Sequence, residues 1–249
     1  MEHEINTAEE VRFSNRRFEI EVRRALEKPE GPVYVSELAS IEKLELDEED
    51  HIEDIEYIQY CTGLKELFIS LSIPHGDARF IEGLTSLETL SVDTVGDGDF
   101  DYGVFAGLRN LKSLSIGYIW FWNVTHSNFP ALKNLTHLND LLITEAEYID
   151  IAAVCEIPEL ESFDLSFIGK VDNVEAVSRI PKLKYLCMCD VKIESLDFLE
   201  KLDPSVELEL ISIESEKKVT REELARVLSR FAKCDAKAID EFPGSLFID

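Results

Sequence analysis

Apolar residues fall along this chain in a phrase that returns about every 23 residues: apolar-x-x-apolar-x-apolar, followed by a second apolar set spaced by threes. The first residues of the phrase are Ile41, Leu64, Leu87, Leu111, Leu138, Leu160 and Leu183, at intervals of 23, 23, 24, 27, 22 and 23. A weaker eighth copy begins at Val206 or Leu208. A fixed period in this range predicts a solenoid, in which each short unit buries its apolar side against the next. With the first residue as position 1, positions 1, 4 and 6 are apolar almost throughout, for example Leu64, Leu67, Ile69 and Leu160, Phe163, Leu165. Side chains alternate along a strand, so positions 4 and 6 face inward and positions 3, 5 and 7 face the opposite, open side. The second set, such as Val171, Val174, Val177 and Ile180, predicts a short 3₁₀ or α turn on the convex side.

The ends differ from the repeats. Phe18, Val22, Ala25 and Leu26 recur at helical spacing before Pro29 and Gly31, which predicts an N-terminal capping helix within residues 1–40. Its Arg16, Arg17, Arg23 and Arg24 are the densest basic group and read as a solvated face balanced by nearby Glu. Repeats then fill residues 41–215. In residues 216–249, Thr220-Arg-Glu-Glu223 is a capping box, and Leu224, Val227, Leu228 and Phe231 share one helical face. That helix and the apolar tail from Phe242 are expected to close the other end of one continuous domain.

The stretch from Leu38 to Tyr60, with Leu-Ala-Ser-Ile-Glu-Lys-Leu-Glu-Leu and Ile52-Glu-Asp-Ile-Glu-Tyr-Ile, resembles the first repeat of bacterial internalin-like leucine-rich repeat proteins. The resemblance covers residues 20 to 215. It implies an α/β solenoid with a curved parallel β-sheet on the concave side and 3₁₀ or α turns on the convex side. It does not specify function, because such folds hold unrelated partners. The family's Asn near position 9 or 10 is missing: position 9 holds Glu49, Ser72, Val95, Ile119, Ala146, Ile168 and Val191, so the turns are expected to be less regular.

The open surface can be read from positions 3, 5 and 7. It carries Glu45, Asp47, Glu66, Asp93, Asp140 and Asp164 against the single Lys43, with small hydroxyls between and Phe68, Leu142 and Tyr185 as larger groups. The whole chain has 51 acids against 25 bases, a net charge of −26. Such a surface repels phosphate backbones and anionic membranes, and it attracts a basic protein. Tyr118-Ile-Trp-Phe-Trp122 opens the longest repeat, and two readings stand for Trp120 and Trp122: filling an enlarged interior, or contacting a partner.

No catalytic signature appears, and the five His are scattered without metal-ligand spacing. Asp97, Asp99 and Asp101 alternate as in a calcium loop, but Tyr102 and Leu108 occupy the places where that loop needs Gly and Glu. Cys187 and Cys189 share the open face, yet no further metal ligand accompanies them. The five Cys form no CxxC pair, which argues for free thiols in a reducing compartment. Met1-Glu-His-Glu-Ile-Asn has neither a basic nor an apolar leader segment, so a cytoplasmic location is expected. These features predict a non-enzymatic monomer, without cofactor, that binds a basic protein on its concave face, in one form as an immunity-type inhibitor. The alternative is an internalin-like adhesion module whose export segment lies outside this sequence.

Overall fold

A computed structural model describes residues 9–46, 55, 57–72, 79–95, 98–118, 124–127 and 129–236. The repeats form rungs. Their strands are β1 (Lys43–Leu46), β2 (Glu66–Ser72), β3 (Thr89–Val95), β5 (Ser113–Tyr118), β7 (Asp140–Ala146), β9 (Ser162–Asp172), β10 (Tyr185–Ile193) and β11 (Glu207–Ser215). Each pairs in parallel with the next. A two-residue strand, β12 (Cys234–Asp235), extends the sheet beyond β11, and β8 (Ile149–Asp150) pairs with the far end of β9.

The in-register stack follows directly from the apolar phrase. Leu44, Leu67, Leu90, Leu114, Leu141, Phe163, Leu186 and Leu208 are opposite one another at position 4, and all are buried. Each such side chain contributes about 1.5–3 kcal/mol by leaving water. The backbone locks the same register. The position-2 carbonyl of rungs 1 to 6 accepts two amides from the next rung: for example Glu42 from Lys65 and Glu66, Lys65 from Glu88 and Thr89, Lys112 from Asn139 and Asp140. Position-2 side chains add charge alternation, with Lys65 on Glu42 and Lys184 on Glu161, both at 2.7 Å. Opposite the sheet, 3₁₀ turns including Ile58–Tyr60, Val154–Glu156 and Val174–Arg179 bury Ile58, Val154, Val174 and Val177.

A pairing irregularity divides the rungs. In the early rungs pairing continues through position 8, with Leu71 opposite Thr94 and Thr94 opposite Tyr118. In the later ones position 8 is left-handed: Glu145 (φ 60°), Phe167 (φ 59°), Asp190 (φ 52°) and Ser212 (φ 53°). Pairing skips these residues and resumes at position 9, where Ala146, Ile168, Val191 and Ile213 are opposite one another and buried. The bend re-aims the chain so that position 9 faces the core. Within rungs 5–8 the strands therefore end more regularly than the missing Asn led one to expect. Apolar packing at position 9 replaces the absent Asn, and rungs 5–8 repeat the same device.

The register also corrects the eighth copy. Leu186 is opposite Leu208, so Leu208 holds position 4 and the rung begins at Ser205, with buried Val206 beside it. The extra residues of the longer repeats form a separate two-stranded parallel sheet, β4 (Gly98–Asp101) with β6 (Val124–Ser127). The interior below them is filled by Tyr102, Phe105 and Phe129, with Tyr102 edge-on to Phe129 at 4.9 Å.

At the N-terminal end, α1 (Arg16–Ala25) starts where the Asn15 side chain accepts the Phe18 amide at 2.9 Å, and it buries Phe18 and Val22 next to β1. Its arginines are internally paired: Arg17 and Arg24 both hold the buried Glu21, at 3.0 and 2.7 Å, and Arg23 holds Glu19. A single turn, α2 (Val35–Leu38), adds buried Val35 and Leu38. At the other end α3 (Arg221–Leu228) opens with the Thr220–Glu223 capping box and buries Leu224 and Val227. Among the described residues, no helix is long and apolar enough to cross a membrane.

Candidate functional site on the open face of the sheet

The open face is a grid of side chains at positions 3, 5 and 7. Neighbouring rungs in a sheet are about 4.8 Å apart. Its two halves have different electrostatics.

In the first rungs the acids are compensated. Lys43 Nζ lies 2.7 Å from Glu45 Oε1 and 3.3 Å from Glu66 Oε2, and 5.3 Å from the centre of the Phe68 ring. Hydrogen bonding to Lys43 holds the Glu45 carboxyl below its usual range, and Glu45 and Glu66 hold the Lys43 ammonium above its own. Three predicted contact residues, Glu45, Glu66 and Phe68, are therefore gathered around one cation. Asp47, Trp120 and Trp122 lie outside the described residues.

Asp93 at position 7 is half-buried and leans over Gly117 of the next rung. A Cβ on Gly117 would lie 2.3 Å from Asp93 Oδ1 and 3.2 Å from Thr144 Oγ1, so only glycine leaves room for that carboxylate. Glu145 reaches the same neighbourhood. Partial burial, and then the Asp93 charge, push its carboxyl upward.

From rung 5 onward Asp140, Asp164 and Glu209 have polar partners and no ion pair among the described residues, whereas Glu207 at position 3 of rung 8 pairs with Lys233 at 2.8 Å. Asp140 Oδ2 accepts from Ser113 Oγ at 3.1 Å, and Asp164 Oδ1 accepts from Ser166 Oγ at 2.6 Å. Tyr185 donates its hydroxyl to Glu209 Oε2 at 2.8 Å. Burial raises the Asp164 carboxyl above its ordinary range; hydrogen bonds from Ser166 and Cys187 offset this in part, while Glu209 and Asp140 add to it. Burial pushes the Cys187 thiol up to about 12, helped by the Asp164 charge, and raises Cys189 as well. Both thiols stay protonated at neutral pH, which makes them poor nucleophiles and poor metal ligands. Among the described residues, no group of three His, Cys, Asp or Glu could hold a metal ion. The Asp101 side chain of the supposed calcium loop accepts the Gly103 amide at 2.7 Å instead.

Position 5 of the last rungs reads Asp164, Cys187, Glu209, Asp235, each opposite the next. Where β11 meets β12 the face opens into a notch of about 400 Å³ lined by Tyr185, Glu207, Glu209, Lys233 and Asp235. Glu209, Asp235 and Glu145 had not been predicted as site residues. Glu209 was findable from the Leu208-x-Leu210 spacing once Leu208 is placed at position 4. Leu142 is half-buried between the serines of rung 4 and Asp164. Ser70, Ser166 and Cys187, though on the open side, are covered by their neighbours.

No protein-family model and no curated protein sequence matches the chain. Solved structures do. Internalin C2 from Listeria monocytogenes superposes with a TM-score of 0.55 at 19% identity, over 81% of this chain and 94% of that one. A second internalin of that organism, inlF, gives 0.52 at 16% identity, over 90% and 82%. The leucine-rich repeat ectodomain of an Arabidopsis thaliana membrane receptor kinase, solved in complex with a second protein, gives 0.50 at 14% identity over 81% of this chain and 27% of that chain. The fold is a leucine-rich repeat solenoid.

Proposed function

We propose that the chain is a non-enzymatic, monomeric, intracellular module that binds a basic protein on rungs 5–9 of its open face. The observation that carries this reading is the unequal compensation of acids. Lys43 neutralises the first rungs, whereas Asp140, Asp164 and Glu209 form no ion pair among the described residues. The partly buried Asp164 carboxylate, with Asp140 and Glu209 near it, is unfavourable in the free protein, and an arriving guanidinium or ammonium relieves it. The long-range field then speeds encounter, so association should slow with added salt.

The test compares two charge reversals in cross-linked capture from extracts of the source cell. Asp140→Lys with Asp164→Lys is expected to abolish capture of a basic partner, while Glu45→Lys with Glu66→Lys leaves it within about threefold, because exposed pairs contribute little. Capture that survives the first pair would overturn the assignment. In the narrower form of the proposal the partner is a basic toxin-like protein. Co-expression with a captured partner that is harmful to cells would then restore growth with the unaltered chain and fail with the Asp140→Lys, Asp164→Lys form.

A further inference from the structure

Phe167 is the one aromatic residue among the four left-handed position-8 residues of rungs 5–8. Its φ of 59° lies in the left-handed region, where a bulky side chain is a true outlier and glycine is favoured. The buried Ile168 next to it offsets the strain of the bend, but Phe167 itself is 52% exposed. It is flanked on the adjacent rungs by Glu145 and Asp190, which share its position and its left-handed backbone. The lip where the strands leave the open face therefore carries an acid, an aromatic ring and an acid in successive rungs. It is continuous with Asp164, three residues before Phe167 on β9.

We infer that this lip is a recognition subsite for an arginine of the partner, whose guanidinium stacks on the Phe167 ring while Glu145 and Asp190 take its N–H groups. A planar guanidinium is the group that uses a ring face and two lateral carboxylates together. A lysine ammonium is a point charge and gains less from that arrangement. The inference rests on the basic-partner reading above and locates one contact within it.

Two measurements test it. In thermal unfolding, Phe167→Gly is expected to raise the midpoint by about 1–4 °C, because glycine removes the left-handed penalty. A lowered midpoint would show that the ring is a packing element and would overturn the subsite. In NMR titration with a blocked Gly-Arg-Gly tripeptide, the Phe167 ring and the Glu145 and Asp190 amides should shift together and saturate. The matching Gly-Lys-Gly peptide should bind more weakly. Phe167→Leu, which keeps the backbone strain and removes the ring, should weaken the arginine peptide roughly twofold to fivefold, the factor an exposed cation–π contact supplies. Shifts confined to Asp140, Asp164 and Glu209 would overturn the lip subsite and leave the basic-partner reading standing. An arginine peptide that shifts nothing on the open face would overturn both.

Discussion

Rungs 2–4 and rungs 5–8 carry the same apolar phrase, but they end their strands differently. In the early rungs Leu71, Thr94 and Tyr118 simply continue the ladder at position 8. In the later rungs Glu145, Phe167, Asp190 and Ser212 turn left-handed there, and the chain re-enters the ladder one residue on with a buried apolar group. Each left-handed non-glycine residue costs on the order of 1–2 kcal/mol. Burying Ile168, Val191 and Ile213 returns about 1.5–3 kcal/mol apiece, so the bend is favourable in rungs 6–8. The acids divide along the same line. Glu45 and Glu66 of the first rungs surround Lys43, and Asp140, Asp164 and Glu209 of the later rungs accept from hydroxyls. A parallel ladder can thus keep one register and still present two electrostatically different surfaces.

The hardest test of this contrast is to restore the missing Asn. Ile168→Asn replaces a buried apolar side chain by a polar one at the point where the bend points inward. It should cost about 3–5 kcal/mol, combining lost burial with an amide short of partners. Urea unfolding would report it as a lower midpoint. A near-neutral result would mean that position 9 can host the family's polar turn after all, and the account of the bend would be wrong.

A smaller effect with opposite signs separates the halves at one and the same position. Ser212→Gly removes a left-handed penalty and should stabilise by about 0.5–1 kcal/mol. Thr94→Gly, in the continuous part of the ladder, should destabilise by about 0.5–1 kcal/mol, since glycine only loses entropy there. Equal signs in the two substitutions would erase the distinction between the halves.

Much of this architecture was readable in advance, because strand positions 1, 4 and 6 are dictated by burial and burial leaves a one-letter trace such as Leu64, Leu67, Ile69. Lys43 was readable too, as the lone cation among open-face positions, although its grip on both Glu45 and Glu66 needs the rung spacing. The left-handed ladder was not. Among its four residues only Asp190 is of a type that favours that backbone. Glu145, Phe167 and Ser212 adopt it because in-register neighbours and the buried position 9 over-determine them, which is a tertiary effect. The last rung was hidden for a related reason. Cys234–Asp235 carries no leucine phrase and pairs only because α3 returns the chain to the edge of β11.

The least perturbing probe of the two halves is pH, and here the signs oppose. Glu45 has a carboxyl lowered by Lys43, so its stabilising contribution is present above the unfolded pKa and is lost as pH falls through the folded one. Asp164 is displaced the other way, mainly by burial, above an unfolded value of 3.8. The folded chain therefore holds that proton longer than the unfolded chain does. Its contribution is complete below the unfolded pKa and is lost as pH rises through the folded pKa. Asp164→Asn should abolish that part of the pH dependence, leaving a variant that gains on the unaltered chain as pH increases from about 4 toward 7. Urea midpoints across that range would show the gap between the two proteins opening with pH. A constant gap would mean that the Asp164 carboxylate is as well solvated in the fold as outside it, and the later rungs would then hold no strained charge for a basic partner to relieve.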